Sequence, residues 1–161
     1  MVNLIWNELC QTKFNICYCE RLLRRQKRSS LIINIAIISF SLIGSFGVFL
    51  SNKIPIISCI IIFIASFSKE IAPLLLSEKR ILKLVDVVYS YNKYFNNISG
   101  LWMDYSNGRL SNKKAQQIFL ELKNKENDIN KSVCDIMLYN SKKIAEQARK
   151  EATEYLQSNF K

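Results

Sequence analysis

Histidine is absent from the 161 residues, and glycine and proline number only 4 and 2. Without an imidazole, general acid–base or nucleophilic chemistry has to rest on carboxylates, lysine, tyrosine or cysteine. A zinc site would likewise lack its usual nitrogen ligand. The scarcity of Gly and Pro excludes a Gly/Pro-rich disordered chain. Acidic side chains are also in deficit, 13 against 23 Lys and Arg, for a net charge of +10. There is no glycine-rich phosphate loop, no nucleophile elbow and no acidic pair at metal-binding spacing. Asp86 and Asp104 stand as isolated acids on amphipathic helices, where such groups are solvated or paired at the surface. The reading is therefore a non-enzyme, with no catalytic residue, metal or cofactor assigned. The five cysteines, Cys10, Cys17, Cys19, Cys59 and Cys134, are odd in number, and Cys59 lies inside an apolar run. Packing thiols in a reducing compartment are expected rather than a disulfide framework.

What the chain does have is hydrophobicity, 49% of its residues, concentrated between Leu31 and Leu76. Residues 31–50, "LIINIAIISFSLIGSFGVFL", carry no formal charge. At about 1.5 Å per residue a helix of that length matches the ~30 Å hydrocarbon core of a bilayer. A cleaved signal peptide fits less well, because the run is longer than the usual ~7 to 15 apolar residues and a second run follows it. That second run, "IPIISCIIIFIASF", needs the next turns through "SKEIAPLLL" to span, with Lys69 and Glu70 near an interface and Pro73 kinking or ending the helix. A tight reversal at "SNK" makes the two helices antiparallel neighbours. Arg21, Arg24, Arg25, Lys27 and Arg28 precede the pair, and Lys79, Arg80 and Lys83 follow it. By the positive-inside rule both termini face the cytoplasm of a multi-pass inner-membrane protein. The expected fold is an all-α membrane protein: a basic amphipathic helix over 1–30, a transmembrane hairpin over 31–76 (31–50 and 54–76), and a cytoplasmic helical domain over 77–161.

Two patterns suggest more than anchoring. Asn34, Ser41 and Ser45 fall within about 40° of one another at 100° per residue. This polar stripe either packs helices together, aided by Gly44 and Gly47, or lines a narrow wet path in an oligomer. Arg21, Arg24, Arg25 and Arg28 occupy i, i+3, i+4 and i+7, so four guanidinium groups share one helix face. Topology needs cations in any arrangement, whereas an aligned Arg face suits bidentate contact with phosphate, from lipid headgroups or from an anionic ligand.

In residues 1–28, Ile5, Leu9, Ile16 and Leu23 form an apolar seam. After the hairpin, Ile81, Leu84, Val85, Val88 and Phe95 predict a helix ending within 96–100. "DYSNGRLS" reads as a turn, with Asn107–Gly108 supplying positive φ and Ser111 capping the next helix. That helix buries Ala115, Ile118, Phe119, Leu122, Ile129, Val133 and Ile136. A break at Asn140–Ser141 leads to a final helix with Ile144, Ala145, Ala148, Ala152, Tyr155 and Leu156 on one side. Tyr89, Tyr91, Tyr94, Phe95, Trp102 and Tyr105, beside Lys93 and Arg109, either fill a helical core or stack on nucleobases.

The order of basic helix ("RLLRRQKRSS"), close-coupled apolar pair and helical tail resembles the SLATT-type two-transmembrane effectors of bacterial anti-phage, nucleotide-signal defence systems. The tail "LWMDYSNGRLSNKKAQQIFLEL" is similar to the family's aromatic, Gly-containing turn into a helix, through Trp102, Tyr105, Gly108, Ala115 and Leu122. "IAEQARKEATEYL" resembles its Ala-spaced last helix, through Ala145, Ala148, Tyr155 and Leu156. The resemblance implies a homo-oligomer, a tetramer or larger, that forms an ion-conducting pore in the lipid bilayer and causes depolarisation and growth arrest or cell death. It also implies control by a nucleotide or single-stranded oligonucleotide from a genetically linked nucleotidyltransferase, as in effectors of the Hailong type. On this expectation Arg21, Arg24, Arg25 and Arg28 bind the ligand, and Asn34, Ser41 and Ser45 line the pore. The alternatives are a membrane anchor or scaffold whose basic face binds anionic lipid or a protein partner, and a small pore needing no ligand.

Overall fold

The computed structural model describes residues 1–50, 78–134 and 141–160, with side chains throughout except those of Ile37, residues 40–50, Glu78 and Cys134. The described residues are helical and contain no strand: α1 (Val2–Leu50), α2 (Glu78–Ser106), α3 (Asn112–Cys134) and α4 (Lys142–Asn159). The chain divides into two compact units, Met1–Leu23 with Leu82–Lys161, and Arg24–Ile81.

The first unit is a helical bundle whose buried positions follow a coiled-coil spacing. Ile5, Leu9, Thr12, Ile16 and Cys19 of α1 alternate by four and three residues, and all are at most 1% exposed. Leu84, Val87, Tyr91, Tyr94, Ile98 and Leu101 of α2 alternate by three and four, and Ala115, Phe119, Leu122 and Glu126 of α3 by four and three. Such spacing keeps one stripe of each helix facing its neighbours over several turns. On α4 the buried residues Ile144, Ala148, Ala152 and Leu156 recur every four, and the two alanines admit close approach.

The seam of α2 differs from the expected one. Val85 is 38% exposed, whereas Tyr91, Tyr94 and Ile98 are buried. Following the aliphatic residues alone rotates the predicted face, because the tyrosines bury their rings and satisfy their hydroxyls inside. The helix also runs through residues 96–100 rather than stopping there. A glycine inside a helix costs about 1 kcal/mol relative to alanine, while burial of Ile98 and Leu101 stabilises by roughly 1.5–3 kcal/mol each. Packing wins over the local breaker.

The ends of the helices follow the expected chemistry. Gly108, at φ +71°, closes α2: its N–H donates to Tyr105 O (3.1 Å) and the Arg109 N–H to Asp104 O (2.9 Å). This is the paired hydrogen-bonding of a Schellman motif. Ser111 Oγ accepts from the Lys114 N–H at 3.4 Å to open α3. Ser141 caps α4, its Oγ accepting from the Ile144 N–H. Ile136 and Asn140 lie outside the described residues.

In the second unit, Arg24, Arg25, Lys27 and Arg28 are exposed, and Leu31, Ile32, Ile35 and Ile38 are 61%, 66%, 54% and 60% exposed. Among the described residues no helix is long and apolar enough to cross a membrane. This overturns the expected placement as a multi-pass inner-membrane protein with both termini cytoplasmic. The second expected span, residues 54–76, lies outside the described residues.

The core assignment sets an order of mutational costs. Leu9→Ala and Ile98→Ala should each lower stability by about 2–5 kcal/mol, and Val85→Ala by about 0.5 kcal/mol or less, in urea denaturation followed by far-UV circular dichroism. A larger loss for Val85→Ala than for Ile98→Ala would show that the face of α2 is wrongly placed.

Candidate functional site

Two features of the bundle carry polar chemistry. The first is an ionic cluster in the core. Lys123 Nζ on α3 donates to Glu8 Oε2 on α1 at 2.7 Å and to Glu126 Oε2, one turn along α3, at 2.6 Å. The Tyr94 hydroxyl on α2 donates to Glu8 Oε1 at 3.0 Å. Glu8 and Glu126 are 9% and 5% exposed, which is tolerable for carboxylates only because both are paired. Burial lowers the Lys123 pKa, but hydrogen bonds and charge from Glu126 and Glu8 more than reverse this, and the ammonium is held above its ordinary value. Burial, then Glu8, pushes the Tyr94 hydroxyl up as well, so it stays a donor. Thr12, buried on the same seam, donates to Glu8 O at 2.8 Å. Sequence reading missed this cluster. The available signal was Glu126, which continues the 115, 119, 122 spacing where a core residue is due.

The second feature is a groove of about 790 Å³ between α1 and α4. On α1, Trp6, Cys10 and Phe14 recur every four residues, with Asn7 and Gln11 beside them. On α4, Arg149, Thr153 and Gln157 also recur every four, with Ala152, Leu156 and Phe160 completing the wall. At one end the rings of Trp6, Trp102 and Phe160 cluster: Trp6–Trp102 centroids lie 5.3 Å apart, Trp102–Phe160 5.5 Å and Trp6–Phe160 6.1 Å. Tilted and edge-on contacts of this kind are favourable for aromatic quadrupoles. Among the described residues, Arg149 is the one charged side chain lining the groove, and no carboxylate lines it.

The residues expected to bind ligand are differently placed. Arg21, in the bundle, donates from Nε to Glu151 Oε2 at 2.8 Å and from a terminal nitrogen to Gln147 Oε1 at 3.1 Å. Its guanidinium therefore ties α1 to α4. Arg24, Arg25 and Arg28 are exposed members of the second unit. Asn34 is exposed, and the side chains of Ser41 and Ser45 lie outside the described residues. Of the aromatic stretch, Tyr91, Tyr94 and Phe95 are core, and the Tyr91 hydroxyl donates to Asn130 Oδ1 at 2.7 Å. These rings are committed to packing, while Tyr89 is exposed.

The described cysteines are free thiols, and Cys17 and Cys19 are buried. Burial raises the pKa of Cys10. Burial raises Cys17 too, partly opposed by Lys13, and pushes Cys19 up to about 12. None of the three offers a thiolate at neutral pH.

The ionic cluster gives a prediction with a definite sign. Lys123→Met leaves two buried carboxylates without their cation and should destabilise by about 2–3 kcal/mol, below the usual cost because Lys123 is 40% exposed and Tyr94 still donates to Glu8. Because its pKa is raised, the lysine's stabilisation is complete at neutral pH and is lost as pH rises above the ordinary 10.5. The gap between wild type and Lys123→Met in denaturant titrations should therefore narrow there. A gap independent of pH would remove the charge of Lys123 as its cause.

Compared with known proteins, the chain matches no family model, no curated protein and no solved structure.

Proposed function

We propose that this chain is a non-enzymatic, oligomeric effector that acts on a lipid bilayer as a pore and is controlled by an anionic nucleotide or oligonucleotide. The observation that carries the reading is the exposed apolar row of Leu31, Ile32, Ile35 and Ile38, directly preceded on α1 by exposed Arg24, Arg25, Lys27 and Arg28. Apolar side chains more than half exposed call for a cover. Cations beside such a row favour anionic headgroups, at about 1 kcal/mol per Lys or Arg near the surface. Asn34 is a polar position exposed within the row, where subunits meeting side by side would hold a wet path open. The resemblance adds the biological setting: anti-phage defence, a ligand made by a partner nucleotidyltransferase, and depolarisation with growth arrest or death as the output.

Vesicle leakage tests this. The purified full chain should release trapped dye from vesicles containing phosphatidylglycerol faster than from pure phosphatidylcholine. Arg24→Glu with Arg25→Glu should reduce release more than about 10-fold, since four units of charge are reversed at the surface. Adenine nucleotide or a short single-stranded oligonucleotide should change the rate. Binding to anionic vesicles with no release under any condition would sink the pore and support a scaffold with a basic face.

A further inference from the structure

The ligand's place in the bundle follows from the lining of the α1–α4 groove. Its volume, about 790 Å³, falls in the usual range of small-molecule sites, roughly 300–1,000 Å³. Its chemistry is uneven along its length. Trp6 and Phe160, joined to Trp102, present aromatic surface at one end. Arg149 stands eleven positions before Phe160, the C-cap of α4, about 16 Å away along the helix axis. Arg149 makes no ion pair with any described side chain, and among the described residues no acidic one lines the groove to compete for it. Between the two ends, Thr153, Gln157 and Gln11 offer hydroxyl and amide groups.

A flat ring stacks on aromatic side chains whatever its base identity, and a guanidinium pairs with phosphate by parallel N–H···O bonds. From these we infer that the groove is a nucleotide site, taking the ring at the Trp6–Phe160 end and a phosphate at Arg149. The separation of the ends favours a ligand with greater reach than a nucleoside monophosphate, such as a nucleoside triphosphate. The inference builds on the nucleotide-controlled effector reading and moves recognition from the Arg face of α1 into the bundle, where Arg21 is engaged with Glu151.

The chain contains two tryptophans, and both sit in the ring cluster at the groove, so intrinsic fluorescence reports on this site directly. Titration of the full chain with ATP, excited at the red edge of tryptophan absorption, should give saturable quenching. Arg149→Ala and Arg149→Glu should weaken it at least about 10-fold, the loss of one charge-assisted hydrogen-bonded contact. Arg149 is exposed, so helical content should be unchanged in both variants. Adenosine should bind more weakly than ATP, and tripolyphosphate should not quench. Absence of saturable quenching, equal response to adenosine, or indifference to both Arg149 variants would overturn the site. The outcome separates from that of the effector reading: quenching without vesicle release keeps the groove and removes the pore, and release without quenching does the reverse.

Discussion

Three helices of the bundle meet at one lysine. Lys123 brings charge from α3 to carboxylates on α1 and on its own helix, and Tyr94 of α2 completes the coordination of Glu8. Because a buried carboxylate is satisfied only by a donor at one place, the cluster fixes the axial register of α1, α2 and α3 in a way the surrounding aliphatic residues do not. Ile, Leu and Ala can slide by a turn and find similar neighbours. Glu8 has two specific donors, and a slip of one heptad would leave it with neither.

The remaining helix is held by different means. α4 has no part in the ionic cluster; it meets α1 through Arg21 with Glu151 and Gln147 and through Phe160 on Trp6.

Much of the fold was legible in the sequence where a residue's chemistry and its spacing agreed. The seam of α1 at Ile5, Leu9 and Ile16, the positive-φ glycine at 108 and the serine caps at 111 and 141 were all of this kind. Legibility failed where the two diverged. Tyr91 and Tyr94 are core residues with polar tips, and Glu126 is a charge at a core position; a reading that equates buried with aliphatic passes over all three. Residues 96–100 carry strong local breakers that tertiary burial overrides. The candidate groove was invisible for a further reason, since it joins positions more than 130 residues apart and none of its members is unusual alone. The length and lack of charge of residues 31–50 were plain, but a run of letters does not state what covers the side chains.

The cap of α4 has a bearing on how the chain is made. The Ser141 N–H donates to the Tyr18 hydroxyl at 3.4 Å, across 123 positions, so the first turn of α4 acquires its native partner only on a docked α1. During synthesis α1 precedes α4, and its apolar side carrying Ile5, Leu9 and Ile16 waits for the later helices before the bundle is complete. The uncharged run over 31–50 follows it out of the ribosome in the same interval. The order of translation thus presents two adhesive surfaces before the bundle can close, and a chaperone, a second copy or a lipid surface has its best opportunity to capture the chain in that window.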